Sequence, residues 1–353
     1  MRLHHQPQPP EDPQPDADPT QDSDEAVPED PQPDADKPVR KHRVRRIVLL
    51  GAIIGICLLL VACLIDVIVL MQRVERVAIP PTRLAAADAG QTWVIVGSDN
   101  RSDVSEEWVD IYGTGAASAP SDHADVVLVI HRDSKGTHAF AVPRDMWVKP
   151  KQGGANRLTL MLAVSPDAFV SSLCLSLGIP GDHLVVVRMG ALMGAVDAVG
   201  GIDITFPHPT RDAVSLLDVP AGVVHLDGDQ ALQYIRSRRP EYFIDGQWQR
   251  TDKVQGALDR PKAAVDVLQK VAGKLRRTAN PLTWQSLAWV VSGSIGLDSG
   301  TSLLDLVSLI DAADSSFPVL PVSNTSGVTL MMPSAETYAA LEAAGYPSGA
   351  CQV

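Results

Sequence analysis

The sequence predicts an α/β protein: a single extracytoplasmic domain with a central mixed β-sheet flanked by helices, preceded by one transmembrane helix and a disordered N-terminal tail. Three observations lead to this prediction. Short β-branched runs alternate with helical patterns over residues 91–353, which is typical of an α/β domain. A long apolar run precedes that region, and a segment rich in Pro and Asp precedes the run.

Residues 1–46 are predicted to be a disordered cytosolic tail that ends in a basic juxtamembrane segment. The first 36 residues carry 11 Asp and Glu against one Arg, and the octet EDPQPDAD occurs twice in them. With so few aliphatic side chains, this segment cannot bury enough apolar surface to offset its loss of chain entropy. Residues 37–46 reverse the sign, with six Lys and Arg next to the apolar run.

Residues 47–70 are predicted to cross the membrane. The run has Asp66 as its one charged residue, and a helix of this length spans roughly 36 Å, against a hydrocarbon core of about 30 Å. A buried core helix is the alternative, but such helices rarely run this far without a polar face. The run starts too late and is too long for a cleaved signal peptide, so we interpret it as a signal-anchor. The basic residues before it predict a single-pass protein of the cell membrane, with the N-terminus cytoplasmic and the C-terminal domain extracytoplasmic.

Residues 71–90 are predicted to be a stalk, and residues 91–353 the folded domain. Buried strands are predicted at four β-branched runs: 92–96, 126–130, 137–142 and 183–187. Helices are predicted from caps, prolines and apolar periodicity at 165–178, 191–199, 227–234, about 250–276, 301–313 and 335–344.

The four cysteines form no C-x-x-C pair, which excludes a zinc ribbon or a thioredoxin-like redox site. Cys57 and Cys63 lie in the apolar run, and we interpret them as packing residues. Cys174 and Cys351 lie in the exported part, where a disulfide is chemically permitted. The sequence gives no distance between them, so a bridge and two free thiols stay equally open.

The charge balance argues against a nucleic-acid-binding protein, since 30 basic residues face 42 acidic ones and the net charge is -12. The one basic cluster is the short juxtamembrane stretch, which the topology explains. The sequence also contains no G-x-x-x-x-G-K-[ST] phosphate loop, no H-E-x-x-H and no G-x-S-x-G. Several common hydrolase and nucleotide-binding chemistries are therefore disfavoured.

Arg and Asp recur instead at the ends of predicted strands and helices. Seven such residues stand out: Asp99, Arg101, Asp125, Arg144, Asp145, Arg236 and Arg238. Carboxylate and phosphate oxygens are the ligands that Mg²⁺ prefers, and guanidinium groups match phosphate geometry with two donors. Each residue taken alone could be a surface ion pair, but together they predict a site for Mg²⁺ and a diphosphate, provided that the segments converge in space.

Five ordered segments resemble the LytR-CpsA-Psr family of cell-envelope phosphotransferases: VGSDNR, ADVVLVIHRD, FAVPRDMWV, VDAVGGIDI and GVVHLDGDQALQYIRSR. The resemblance runs from about Trp93 to Arg276, and HLDGDQALQYIRSR is a highly specific block. The family also shares the layout of cytosolic tail, single anchor and exported domain that the sequence itself predicts.

The resemblance implies a Mg²⁺-dependent phosphotransferase, with pyrophosphatase activity as a further candidate activity. Its expected reaction moves a glycopolymer, of the teichoic acid, capsular or wall polysaccharide type, from a polyprenyl-pyrophosphate carrier to peptidoglycan. The products are a phosphodiester link and the lipid monophosphate. The expected partners are therefore the lipid-linked glycopolymer, peptidoglycan and membrane lipid, with no nucleic acid. The family's apolar groove between sheet and helices would hold the polyprenyl chain.

The resemblance also implies a role for each site residue. Asp99 and Asp125 correspond to the metal-associated carboxylates. The expected substrate-binding residues are Arg101, Arg144, Arg236, Arg238 and Arg250. The expected catalytic residues are Arg144, Arg236, Arg238 and Asp145, where Asp145 is expected to hold Arg144 rather than to act as a base.

Two stretches depart from the family pattern. In the segment from Asp245 to Asp252, Gln247 and the pair Thr251-Asp252 stand where the family typically has Arg and two Gln, and Arg250 alone keeps its role. The family's K-I-N is replaced by RLT at residues 157–159. Losing one guanidinium from a phosphate cluster costs about 1.5–3 kcal/mol of charged hydrogen bonding. The alternative reading is therefore a catalytically weak relative that binds lipid-linked polymer or wall glycan as a scaffold or regulator.

Overall fold

A computed structural model of the chain describes residues 39–85, 90–100, 122–324 and 330–353. The chain divides into two units, residues 1–60 and 61–353. Helix α1, Val39–Arg73, contains the apolar run, and in the described part of the chain one segment, Arg43–Arg73, has the length and hydropathy needed to span a membrane. The predicted disordered tail lies almost entirely outside the described residues.

The remaining helices follow in chain order. They are α2 (Leu158–Val164), α3 (Pro166–Leu177), α4 (Met189–Ala198), α5 (Gly228–Arg236), α6 (Lys253–Arg277), α7 (Pro281–Gly293), α8 (Leu303–Ala312) and α9 (Ala335–Ala343). The strands from β1 to β9 are Glu75–Val77, Arg83–Leu84, Gln91–Ser98, Ala124–Asp133, Gly136–Ala141, Trp147–Val148, Asn156–Arg157, His183–Val187 and Ile202–Phe206. Those from β10 to β18 are Thr210–Asp212, Leu217–Val219, Gly222–Leu226, Glu241–Ile244, Gln247–Arg250, Ile295–Asp298, Ser323–Asn324, Met331–Met332 and Cys351–Gln352.

A six-stranded mixed sheet forms the centre of the domain, in the order β1-β15-β8-β3-β4-β5. Strand β3 pairs parallel with β8 and antiparallel with β4, and β1 pairs parallel with β15. The predicted α/β class with a central mixed sheet is therefore confirmed. The four predicted strands all lie in this sheet.

The sheet has an apolar core on each face because successive side chains of a strand point to opposite sides. Trp93 and Leu128 belong to one core, which helices α4, α5, α6 and α8 cover. Val94 and Val129 belong to the other, which helices α2, α3 and α9 cover. The domain thus has three layers, helix, sheet and helix.

Two short strands lie within the stretch predicted to be a stalk. Residues of β1 pair with β15 of the central sheet, and those of β2 pair with β18 near the C-terminus. Arg76 Nη1 donates to the carbonyl oxygens of Asp298 and Thr301, at 3.0 and 2.6 Å. This part of the chain is therefore tied to the folded domain.

Cys174 and Cys351 form a disulfide, which settles the alternative that the sequence left open. The bridge joins α3 to β18 across 177 residues of sequence, and both half-cystines are buried. Cys57 and Cys63 are free and exposed on α1.

Candidate active site

Asp125 is the carboxylate at which three separate segments meet. It lies at the start of β4 and is buried, at 9% exposure. One of its oxygens accepts a hydrogen bond from Arg144 Nη1, and the other lies 4.0 Å from Arg238 Nη2. The predicted convergence of Asp125, Arg144 and Arg238 is thus present in the structure.

The turn at Pro143-Arg144-Asp145 is held by backbone hydrogen bonds. The Met146 amide donates to Pro143 O at 3.0 Å, and the Thr159 amide donates to Arg144 O at 2.9 Å. The Asp145 carboxylate is buried between two guanidinium groups, 3.6 Å from Arg144 Nε and 3.7 Å from Arg157 Nη1. This is the geometry of a group that orients Arg144, and it brings in Arg157, which stands where the family has Lys.

Helix α5 positions the arginines at its C-terminal end. Asp227 and Gln230 form a capping box at its N-terminus, and the helix ends at Arg236. The turn that follows α5 is held by hydrogen bonds to Asp212 of β10. The Asp212 carboxylate accepts from Ser237 Oγ at 2.8 Å and from the amides of Arg238 and Arg239, both at 3.0 Å.

The charge state of Asp212 follows from these contacts. Burial raises the pKa of the Asp212 carboxyl, but the amide and hydroxyl donors outweigh it and leave that pKa below its ordinary value. Asp212 is therefore ionised at neutral pH and holds the turn that carries Arg238.

An apolar cavity of about 130 Å³ opens beside this cluster. Its walls come from the sheet and from helices α4, α5 and α6, and include Ile95, Leu128, Leu192, Leu232, Ile235 and Leu268. Its polar lining consists of Ser98, Asp125, Arg188 and Arg236. The cavity is thus apolar within and charged at one side, and Arg236 joins Asp125 there as predicted.

Arg188 was not predicted from the sequence. It directly follows β8, is 9% exposed, and forms an ion pair with Glu75. The sequence did contain a signal, because Arg188 directly follows β8 as Asp99 directly follows β3, and the C-terminal ends of parallel neighbours lie at one edge of a sheet. Without knowledge that β8 lies beside β3, that signal could not be used.

Asp99 directly follows strand β3, the neighbour of the strand β4 that carries Asp125. Its carboxylate accepts from the His123 amide at 2.9 Å and lies 3.1 Å from His123 Nδ1. The described residues contain no group of three or more His, Cys, Asp and Glu that could hold a metal ion. Asp99 directly follows β3 and Asp125 lies at the start of the neighbouring β4, and Mg²⁺ usually takes one or two carboxylates from a protein and completes its shell with phosphate and water.

Among the predicted site residues that the structure describes, Arg250 is not gathered at Asp125. Arg250 lies on strand β14, where Glu241 accepts from its Nε at 2.8 Å. It lines a second cavity of about 570 Å³, together with Arg211 and Arg239. Arg101 lies outside the described residues. Glu241 also accepts from Arg211, and these hydrogen bonds from Arg211 and Arg250 lower the pKa of the Glu241 carboxyl.

Comparison with known proteins identifies close counterparts of the sequence. Residues 71–332 match the LytR_cpsA_psr family. The chain is 32% identical over 169 residues to the probable cell wall biosynthesis protein LcpB of Corynebacterium glutamicum, a match that covers 47% of this chain and 41% of that protein. It is 29% identical over 132 residues to TagU of Enterococcus faecalis, a polyisoprenyl-teichoic acid–peptidoglycan teichoic acid transferase, over 37% of this chain and 43% of TagU. The matched regions thus span about two fifths of each relative.

The fold also has a counterpart among solved structures. The LytR-Csp2A-Psr enzyme from Actinomyces oris superimposes on the chain with a TM-score of 0.65 and 30% sequence identity, covering 79% of this chain and 98% of that one. The family match extends over most of the folded part, from the strands of the supposed stalk to β17. The chain therefore belongs to the LytR-CpsA-Psr family, whose named members include teichoic acid transferases and cell wall biosynthesis proteins.

Proposed function

We propose that the chain transfers a glycopolymer from a polyprenyl-pyrophosphate carrier to a hydroxyl of peptidoglycan, forming a phosphodiester link and releasing the lipid monophosphate. The observation that carries the proposal is the apolar cavity whose charged side is formed by Asp125, Arg188 and Arg236. An amphiphile with a polyisoprenyl chain and a diphosphate headgroup matches both parts. The name of the TagU relative, a polyisoprenyl-teichoic acid transferase, supports this substrate class.

The reaction needs the diphosphate held and its charge neutralised. The acceptor hydroxyl oxygen attacks the phosphorus that bears the glycopolymer, and the bond from that phosphorus to the bridging oxygen breaks. The hydroxyl proton leaves to solvent, and the lipid monophosphate departs with the electron pair. Arg144, Arg236 and Arg238 offer fixed donors to the phosphate oxygens, where charge changes most during phosphoryl transfer. No chemical energy beyond the pyrophosphate bond is required.

Asp99 and Asp125 would hold Mg²⁺, which would supply further charge neutralisation and a template for the phosphate oxygens. In the structure Asp125 is engaged by Arg144 and Arg238. Asp125 keeps both guanidinium groups oriented before substrate binds. The same carboxylate is thus suited to arranging the phosphate-binding donors and to contacting a bound cation.

The folded domain would act outside the cell, where peptidoglycan lies. The basic residues before the apolar run favour a cytoplasmic N-terminus. Protease added to intact cells should then remove the domain and spare the tail, and cleavage of the tail alone would contradict this orientation.

The test of the proposal uses the full chain in detergent with Mg²⁺ and a polyprenyl-pyrophosphoryl saccharide. We expect release of lipid monophosphate that falls at least 100-fold in Arg238→Ala, on the order of the about 3 kcal/mol that one charged transition-state donor supplies. Arg239→Ala is the matched control, because the neighbouring Arg239 lines the second cavity instead. Equal activity in Arg238→Ala and the wild type would contradict the assignment.

A second candidate function is binding without transfer, as a scaffold or regulator for lipid-linked polymer or wall glycan. The pairing of Arg250 with Glu241, away from Asp125, favours it, since one expected guanidinium is then missing from the phosphate site. Tight binding of the donor with no release of lipid monophosphate at any Mg²⁺ concentration would support this second function.

A further inference from the structure

Helix α7 lies against the end of the transmembrane helix that is nearest the folded domain. Gln285 Nε2 donates to both carboxylate oxygens of Asp66, at 2.8 and 2.9 Å. Further toward the C-terminal ends of both helices, the Arg73 guanidinium stacks 4.1 Å from the centre of the Trp289 ring and donates to Ser292 Oγ at 3.3 Å. The two helices therefore run side by side in the same direction.

This pairing sets the level of α7 relative to the apolar run of α1. The run ends at Leu70, so Asp66 lies one helical turn inside its end. Since Gln285 meets Asp66, the N-terminal turn of α7 lies at the level of the last apolar turns of α1. In a helix that spans a bilayer, those last turns lie at the boundary between hydrocarbon and headgroups.

The two faces of α7 differ in what covers them. Trp284, Leu287 and Val291 pack onto the core of the domain. Leu282 and Trp289, on the other face, are 74% and 46% exposed. Leu and Trp exposed on one face are typical of helices that lie at a membrane surface, where the amphipathic indole ring favours the headgroup region.

Charge near the same end is suited to phospholipid. Arg277, four residues before α7, is exposed at the C-terminus of α6. Exposed basic residues at a membrane surface gain about 1 kcal/mol each from anionic headgroups.

We propose that α7 is an interfacial helix, with its Leu282 and Trp289 side chains buried in the bilayer surface on the side of the folded domain. The occupant of this face is phospholipid. Helix α7 packs tightly on α4, since a Cβ on Gly194 would overlap Val290, and Leu192 of α4 lines the apolar cavity. With α7 bound at the bilayer surface, the apolar cavity lies close to the membrane, which contains the polyisoprenyl carrier.

The test uses the full chain reconstituted in vesicles of phosphatidylcholine and phosphatidylglycerol that carry lipids brominated close to the headgroup. These lipids should quench part of the tryptophan emission, and Trp289→Phe should remove at least half of that quenching. Trp248→Phe is the control, because Trp248 is 37% exposed but lies on strand β14. Unchanged quenching in Trp289→Phe, or an equal loss in Trp248→Phe, would overturn the proposal.

A second measurement does not depend on tryptophan. Nitroxide labels at Leu282→Cys and Val214→Cys, in a chain with Cys57→Ala and Cys63→Ala, compare two exposed sites, at 74% and 77% exposure. The nitroxide at position 282 should be more accessible to oxygen, which partitions into lipid, than to a water-soluble nickel complex. The nitroxide at position 214 should not show this preference. Equal accessibility at both sites, or a chain that fails to float with vesicles, would overturn the proposal. Neither readout depends on catalysis, so the transfer assay can fail or succeed independently.

Discussion

Asp125 and Asp212 position the arginines of the site in two different ways. Asp125 contacts two guanidinium groups, whereas Asp212, on strand β10, accepts hydrogen bonds from the backbone of the turn that carries Arg238. The first carboxylate therefore meets the arginine side chains, and the second determines where the Arg238 side chain begins. A substitution at Asp212 should act on Arg238 through the backbone.

Replacing Asp212 by Asn should destabilise the fold and lower transfer activity. The neutral amide weakens the hydrogen bonds from Ser237, Arg238 and Arg239, at a cost of about 1.5–3 kcal/mol in free energy of unfolding. Denaturant unfolding with a parallel transfer assay measures both effects. Asp218→Asn, at an exposed position on β11, is the control and should change neither.

The pH dependence of that difference has a defined sign. The folded-state pKa of Asp212 is lowered, so its contribution to stability is fully present above the ordinary carboxyl pKa of about 4 and is lost as the pH falls through the lowered value. The stability difference between wild type and Asp212→Asn should thus be constant near pH 7 and shrink in acid below about pH 4. A difference that grows in acid would contradict this role.

At the level of elements, helix α6 packs through Gly256 against the backbone of the turn that carries Arg238. A Cβ on Gly256 would overlap the carbonyl oxygen of Arg238, so α6 and the turn approach as closely as backbone allows. This contact couples a helix at the edge of the site to Arg238. It also defines an experiment that leaves every charged group in place.

Gly256→Ala should reduce transfer activity, because the added methyl group displaces the backbone of Arg238, whose side chain lies 4.0 Å from Asp125. Gly273→Ala in the same helix meets no atom within 4 Å and is the matched control. The control should gain up to about 1 kcal/mol of stability from helix propensity. Thermal unfolding and the transfer assay separate the two outcomes, and equal activity in both variants would show that the turn tolerates displacement.

The disulfide joins the helical layer to the C-terminal strand. Changing Cys174 and Cys351 to Ala should lower the free energy of unfolding by about 2–5 kcal/mol, since the bridge closes a long loop in the unfolded chain. Thermal unfolding of the double variant measures this loss. Addition of a reductant should lower the melting temperature of the wild type and leave that of the double variant unchanged.

Over the whole molecule, the folded domain begins close to the end of the long apolar helix α1. A fragment of residues 71–353 should be more stable than one of residues 91–353, because the shorter fragment lacks β1 and β2. Val77 and Leu84 are each 8% exposed, and burial of two such side chains contributes about 3–6 kcal/mol as an upper estimate. Calorimetry of the two fragments tests this, and equal melting temperatures would mean that residues 71–90 are a dispensable stalk.

The long, strongly patterned elements were predictable from sequence because their signals are local. The apolar run, four of the six strands of the central sheet and helices such as α3, with its Ser165 cap and Pro166, depend on nearby residues alone. Strands β9–β14, of three to five residues each, and helix α2 were missed, since elements without a clear cap or period depend on tertiary packing. Helix α7 was missed although Asn280 caps it and Pro281 begins it. Most of the candidate site residues were also predictable, because they lie in short family segments that are recognised from neighbouring residues alone.

By itself the sequence determined the fold class, the long apolar helix and the residue types at the candidate site, because periodicity, composition and motif spacing are properties of neighbouring positions. Only the tertiary structure decided that Asp125 meets Arg144 and Arg238 while Arg250 goes to Glu241. It also decided that Cys174 bridges Cys351 and that Arg188 enters the cavity. These pairings join residues that are mostly far apart in the chain, and their distances are set by how the layers pack, which no local pattern encodes.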